Sequence, residues 1–215
     1  PEKAEAYLDC NCRLPDPFLM TDMAAARQRI ALALENKERM AVFGDYDVDG
    51  VTATCLLTDF LRKRGADCLT YIPGRLEEGY GLNAMAVRLL AEQEVTLIIT
   101  VDCGITAVAE AELCRELGID LIITDHHECK DRLPEAAAVV DPHRKNDGYP
   151  HQNLSGVGWE PGGNSPGVCR FGMPGDGGGC HAAARRKPHV CRPRPGVFAA
   201  DEAAGLKKPD GSGRL

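Results

Sequence analysis

Three aspartates at alternate positions are the residues of this sequence with the clearest chemical potential. The run 44–50 reads Gly-Asp-Tyr-Asp-Val-Asp-Gly and places Asp45, Asp47 and Asp49 in a turn after an apolar run. Carboxylates gathered in this way can converge on a hard cation. A helix-loop-helix calcium loop opens with the same pattern, but it needs a preceding helix and a Glu at its twelfth position, where this chain has Leu56. We therefore reject the calcium-loop interpretation.

Two further motifs also follow apolar runs directly. Asp102 ends the run 97–101, and Asp125, His126 and His127 follow the run 120–124. Each motif is weak alone, because an Asp at a strand end often caps the next helix and a His pair often decorates a surface. Their coincidence is informative, since three strand ends would deliver acidic or imidazole groups to one edge of a sheet. Carboxylates that close together repel one another unless cations neutralise them.

The donor types indicate which metal would bind. Oxygen ligands joined by a histidine suit Mn²⁺ or Mg²⁺ better than a thiolate-seeking metal. Two such ions about 3.5–4 Å apart would clamp a phosphate, lower the pKa of a bound water and stabilise an in-line transition state. A zinc site at Cys169, Cys180, His181 and Cys191 is rejected, because no pair has the short spacing of a structural site.

Alternating strands and helices must position these groups. Apolar runs predict strands at 40–43, 67–72, 96–101, 119–124 and 137–140, and helical periodicity predicts helices at 22–37, 50–64, 83–92 and 106–117, the first capped by Thr21. Strands that are apolar throughout are typical of burial on both faces. The sequence therefore predicts an α/β fold with a mostly parallel sheet flanked by helices.

Composition divides the chain after Gly158. Residues 1–158 carry 16 Lys and Arg against 27 Asp and Glu, whereas residues 159–215 carry 9 against 5, with 12 Gly and 7 Pro but five isolated Val, Leu or Ile. We predict an N-terminal extension over 1–20, a folded domain over 21–158 and a disordered tail over 159–215. Either out-of-frame translation of GC-rich DNA or a natural flexible tail would account for the last segment.

Overall composition narrows the class of protein. With 215 residues and 44% hydrophobic content the chain can bury a core, and it has neither an 18-residue apolar run nor a signal peptide, so we expect a soluble cytoplasmic protein with no membrane segment. The chain has ten cysteines, and those such as Cys55 and Cys114 lie within periodic apolar segments, which favours reduced and mostly buried thiols. A net charge of −7 argues against a protein that merely coats nucleic acid, but not against a metal-dependent enzyme.

Taken in order, the three motifs resemble motifs I, II and III of the DHH phosphoesterases. The Asp-Tyr-Asp-x-Asp-Gly form of the first motif is similar to that of the family's single-strand-specific DNA exonucleases rather than its pyrophosphatases and oligonucleotide phosphatases. Further similar stretches lie at 16–20, 72–82, 141–142 and 149–158, so that the resemblance covers about residues 14–158.

The resemblance implies a role for each site residue. Asp49, Asp102 and His126 would hold one metal, and Asp47 and Asp102 would be shared with a second. Asp45 would belong to the same cluster.

Outside the ligand set the resemblance implies that Asp125 supports the site and that His127 faces the scissile phosphate. Arg75 would bind the DNA backbone, with an ordinary exposed surface arginine as the alternative. The implied activity is degradation of single-stranded DNA from its 5′ end in repair and recombination; no protein partner is implied.

The resemblance stops at Gly158. The family's fourth-motif Asp, its second domain and an oligonucleotide-binding module are expected downstream, and without them we predict little or no nuclease activity for the 215-residue chain. Two alternatives stay open: a DHH phosphoesterase acting on oligonucleotides, cyclic dinucleotides or pyrophosphate, and a non-catalytic binding protein on a decayed DHH domain.

Overall fold

Five parallel strands form a single sheet in the computed structural model, which describes residues 15–150 and 152. The strands are β1 (Arg39–Gly44), β2 (Asp67–Tyr71), β3 (Leu97–Val101), β4 (Asp120–Thr124) and β5 (Ala138–Val140). Their spatial order is β2-β1-β3-β4-β5, and each neighbouring pair is parallel. All five carboxyl ends therefore lie at the same edge of the sheet, and the predicted α/β class is confirmed.

Helices cover both faces of this sheet. They are α1 (Met23–Asn36), α2 (Val48–Lys63), α3 (Ala84–Glu92) and α4 (Val108–Glu116), with a short 3₁₀ turn at Pro17–Leu19. Alternate residues of β1 serve two separate cores: Met40 and Val42 pack with α1 and α2, whereas Ala41 and Phe43 pack with α3 and α4. Because each face is buried, the strands need apolar side chains at every position, which explains their continuous hydrophobicity.

The predicted helices and strands all occur, with ends within two residues of the prediction. The predicted cap of the first helix was wrong. Asp22, not Thr21, is the N-cap of α1, with a left-handed φ of 62° and no capping bond from its side chain. Its carboxylate bonds to groups outside the helix instead: Oδ2 accepts hydrogen bonds from the Val139 N–H at 3.3 Å and from Arg144 Nη1 at 2.7 Å.

The outer edge of β5 is closed by these same side chains. Arg144 Nη1 also donates to the Val139 carbonyl oxygen, so that Asp22 and Arg144 together satisfy the N–H and the C=O of Val139. The N-terminus of α1 is thereby tied to the last strand of the sheet.

The cysteines of the described residues are all free thiols. Cys68, Cys103 and Cys114 are buried, Cys129 is half-buried and Cys55 is exposed, in agreement with the expectation of reduced and mostly buried thiols. No helix in residues 15–150 has the length and apolar character required to cross a bilayer.

The segment 159–215 and its zinc-candidate residues lie outside the described residues, as does most of the extension at 1–20. The division into extension, domain and tail stays a prediction.

Candidate metal centre

Four aspartates form a row across the carboxyl edge of the sheet. Gly44 is in register with Val101, Val101 with Thr124, and Thr124 with Val140. The next residues of the four strands are Asp45, Asp102, Asp125 and Asp141, and all are buried, at 3%, 2%, 1% and 0% exposure. Parallel pairing thus brings together carboxylates that are far apart in sequence.

Backbone hydrogen bonds extend the ladder just beyond the strands. The Asp102 N–H donates to the Thr124 carbonyl at 3.0 Å, and the Asp125 N–H donates to the Val140 carbonyl at 3.0 Å. Asp102 itself has a left-handed φ of 60°. Two members of the row are therefore held in place by main-chain hydrogen bonds.

The aspartate turn packs tightly against the first member of the row. Asp47 caps α2, with Oδ1 accepting the Gly50 N–H at 2.9 Å, and Asp49 lies in the first helical turn. A Cβ at Gly50 would lie 2.7 Å from the Asp45 carbonyl oxygen and 2.8 Å from its Cβ, so only glycine lets α2 begin here.

Two groups of donor atoms lie close enough to hold a cation. One comprises Asp45, Asp47 and Asp102, and the other comprises Asp102, His126 and His127, with the donors of each group within 4.8 Å of one another. Asp102 is common to both groups, as a carboxylate bridging two cations would be. Four of the five predicted metal residues, Asp45, Asp47, Asp102 and His126, thus belong to these groups.

Asp49 lies at the margin of the second group. His126 Nε2 is 2.9 Å from Asp102 Oδ1 and 3.9 Å from Asp49 Oδ2. Asp49 belongs to neither group of donors, whereas His127, which the resemblance assigned to the phosphate, offers a nitrogen to the second.

Burial and neighbouring charges both disfavour the ionised carboxylates of this cluster. Burial raises the pKa of Asp45, with the Asp47 carboxylate adding to the effect, and burial likewise raises the pKa of Asp102, with Asp49 adding. In addition, Asp45 Oδ1 is buried without a hydrogen-bond partner among the described residues. A divalent cation would relieve both costs, so the oxygen-rich donor set fits Mn²⁺ or Mg²⁺.

Asp125 belongs to neither donor group and supports the histidines. Its Oδ1 accepts from the backbone N–H of His126 at 2.8 Å and lies 2.6 Å from His127 Nδ1, while its Oδ2 accepts from the Ile105 N–H at 2.9 Å. Burial opposes ionisation, yet the bonds from His127 and Ile105 lower the pKa of Asp125 overall. The same contact raises the pKa of His127 to about 9.

Arg75 reaches the cluster from the segment between β2 and α3. Its side chain is exposed, and its guanidinium carbon lies 5.1 Å from the centre of the Tyr46 ring. Its charge partly offsets the rise in the pKa of Asp45, which indicates that Arg75 lies near the first donor group.

Two residues of the site were not assigned by sequence. Asp141 Oδ1 accepts the His143 N–H at 2.8 Å, its Oδ2 has no partner among the described residues, and burial raises its pKa to about 7. The Tyr80 hydroxyl lies 3.3 Å from the Asp102 carbonyl oxygen and 3.3 Å from the His127 ring nitrogens. Asp141 could have been found from its position after the predicted strand 137–140, whereas Tyr80 follows no strand and is marked only by its place in the similar stretch 72–82.

A parallel α/β domain with carboxylates and imidazoles converging at its carboxyl edge is the architecture of a metal-dependent hydrolase domain. The family model described as DHH family, N-terminal domain, matches residues 39–159, and the chain belongs to that family.

The relatives include the single-stranded-DNA-specific exonuclease RecJ of Bacillus subtilis, which is 48% identical over 143 residues and covers 66% of this chain. RecJ of Escherichia coli is 40% identical over 127 residues and covers 59% of this chain. The matched regions make up 18% and 22% of those two proteins, so the chain spans about a fifth of their length.

Solved structures agree with this assignment. A crystal structure of exonuclease RecJ bound to manganese matches with a TM-score of 0.56 and 40% identity, covering 60% of this chain and 33% of that one. RecJ from Thermus thermophilus in complex with Mn²⁺ matches with a TM-score of 0.56 and 32% identity, covering 78% of this chain and 24% of that one.

Proposed function

We propose that this chain carries the metal-binding part of an exonuclease that hydrolyses phosphodiester bonds of single-stranded DNA from the 5′ end. The observation that supports the proposal is the pair of donor groups sharing Asp102 at the carboxyl edge of the sheet. The names of the relatives supply the substrate. For a protein that acts on DNA in repair and recombination we infer a cytoplasmic location.

One set of residues at the site would bind the metal ions. Asp45, Asp47, Asp102 and His126, with Asp49 at their margin, would hold the cations. Two bound divalent cations supply a water of lowered pKa and neutralise charge on the phosphate.

His127 has a different part in this proposal. Asp125 fixes the orientation of its ring through Nδ1, so that the imidazole stands beside the cluster where it can face the scissile phosphate. Arg75 would bind a neighbouring phosphate of the strand, because a guanidinium donates to phosphate oxygens in a fork.

Metal binding is the first test. Titration of the metal-free protein with Mn²⁺ in a calorimeter should show saturable binding. Asp102→Asn should weaken this binding more than replacement of a residue that belongs to only one of the two donor groups. Saturable binding by wild type that Asp102→Asn leaves unaltered would contradict the proposed centre.

The substrate is tested with a linear single strand and a closed circle of the same sequence in Mn²⁺. Hydrolysis should release mononucleotides from the linear strand only and should stop on chelation. Equal cleavage of the circle would exclude an exonuclease, and hydrolysis of pyrophosphate or a cyclic dinucleotide instead would favour another DHH substrate.

A further inference from the structure

The segment between β2 and α3 brings two side chains to the metal cluster. Residues 72–83 contain neither helix nor strand, yet they carry Arg75 and Tyr80. The Tyr80 ring meets the Tyr46 ring edge-on at 6.2 Å and the His127 ring edge-on at 5.8 Å. A segment without regular structure needs a specific device to hold such contacts, because ordering it costs conformational entropy.

One carboxylate within the segment bonds to groups at its beginning and at its end. Glu78 Oε2 accepts from the Tyr71 hydroxyl at 2.6 Å and from Asn83 Nδ2 at 3.4 Å. Its Oε1 accepts from the Gly74 N–H at 2.9 Å. Tyr71 is the last residue of β2 and Asn83 is the N-cap of α3, so Glu78 closes the segment into a loop.

The partners of Glu78 are themselves fixed. The Tyr71 ring stacks on buried Phe43 with centroids 5.3 Å apart and planes 9° apart, and Asn83 Oδ1 caps α3 by accepting the Ala86 N–H at 2.9 Å. The bonds from Gly74 and Tyr71 lower the pKa of Glu78, and burial, with Glu78 adding, raises the pKa of Tyr71 to about 12. Both groups therefore stay in their bonding forms near neutral pH.

We propose that Glu78 is the positioning residue that holds Arg75 and Tyr80 at the metal cluster, ready to receive a single strand of DNA. This rests on the proposed function, in which Arg75 binds the phosphate backbone. Glu78 acts by keeping the loop ordered before the strand arrives, which lowers the entropy lost on binding.

Glu78→Gln and Glu77→Gln form a matched pair of variants. Both remove one negative charge from adjacent positions, but the Glu77 carboxylate is exposed and makes no hydrogen bond or ion pair within residues 15–150. A glutamine at 78 has only one accepting oxygen. Its NH₂ group would therefore face either the Gly74 N–H or the donors of Tyr71 and Asn83, and one set of hydrogen bonds would be lost.

Order in the loop is measured directly by trypsin cleavage of the Arg75–Leu76 bond, followed by mass spectrometry. We expect Glu78→Gln to speed this cleavage about tenfold, the effect of losing one charge-assisted hydrogen bond, and Glu77→Gln to leave it unchanged. Tyr71→Phe should act like Glu78→Gln, and the double variant should add little to either. Equal cleavage rates in the two glutamine variants would overturn the proposal.

Function is measured as affinity for a hydrolysis-resistant phosphorothioate oligodeoxythymidylate. Glu78→Gln should weaken binding about tenfold, leave Mn²⁺ affinity unchanged, and have a clearly smaller effect in an Arg75→Ala background. An ordinary loss of stability would instead lower Mn²⁺ affinity as well and would be undiminished without Arg75, which would refute a positioning role. If the wild-type protein binds no oligonucleotide, the proposed function fails, and the proteolysis comparison still decides whether Glu78 orders the loop.

Discussion

Replacing Asp102 with asparagine should stabilise the metal-free protein and reduce the stabilisation that metal binding provides. Asp102 is 2% exposed, and burial together with Asp49 raises its pKa, so its charge is unfavourable in the metal-free protein. Relief of an unfavourable buried charge of this kind is worth about 1–3 kcal/mol. For a domain of this size that corresponds to a rise in Tm of roughly 2–12 °C in EDTA.

In Mn²⁺ the difference should shift in favour of wild type by about 2.3 kcal/mol. At a free Mn²⁺ concentration of 100 times Kd, binding stabilises wild type by about 2.7 kcal/mol, or roughly 5–11 °C. If Asp102→Asn raises Kd by about 100-fold, as loss of a metal-supporting group can, the same concentration gives only about 0.4 kcal/mol. The variant should then show a rise in Tm of about 1–2 °C on adding Mn²⁺.

Differential scanning calorimetry in EDTA and in Mn²⁺ measures both effects on the same samples. Asp131→Asn is the control, because Asp131 is exposed and its replacement removes the same charge away from the cluster. A rise in Tm with Mn²⁺ that is equal in wild type and Asp102→Asn would refute the shared-ligand role.

Three further outcomes are expected. The pKa of Asp141 is raised to about 7, so the free energy of unfolding of the metal-free protein should fall by up to about 4 kcal/mol as pH rises from 4 to 7. Urea unfolding of Asp141→Asn should not show this fall. The pKa of His127 is raised to about 9, so the stabilisation from its contact with Asp125 should be complete below pH 6.5 and should be lost as pH rises through 9. His127→Gln should remove this pH dependence from the free energy of unfolding. Gly50→Ala should destabilise by about 1–3 kcal/mol in urea and weaken Mn²⁺ binding, because its Cβ would press on Asp45.

Much of the fold was predictable because it depends on local periodicity. Buried strands such as Leu97–Val101 are apolar at every position, and a residue directly after such a strand must lie at the edge where ligands bind. This reasoning located Asp102 and the histidines, and applied to the strand 137–140 it would also have located Asp141. The order of the strands, by contrast, depends on pairing between distant segments, which no local pattern encodes.

The unpredicted contacts depend on the path of an irregular segment. Tyr80 and Glu78 lie between β2 and α3, where no periodicity links side-chain direction to sequence position. The cap of α1 was mispredicted for a related reason. Asp22 occupies the N-cap position in place of Thr21, and its side chain makes no capping bond because it bonds to residues more than 110 positions away.

The side chains that close β5 also limit what this protein can pair with. A strand arriving from another molecule needs free main-chain donors and acceptors, and at Val139 it would first have to displace Asp22 and Arg144. Self-association by strand addition is therefore disfavoured at the outer edge of β5, and the ion pair between Asp22 and Arg144 opposes assembly into fibres.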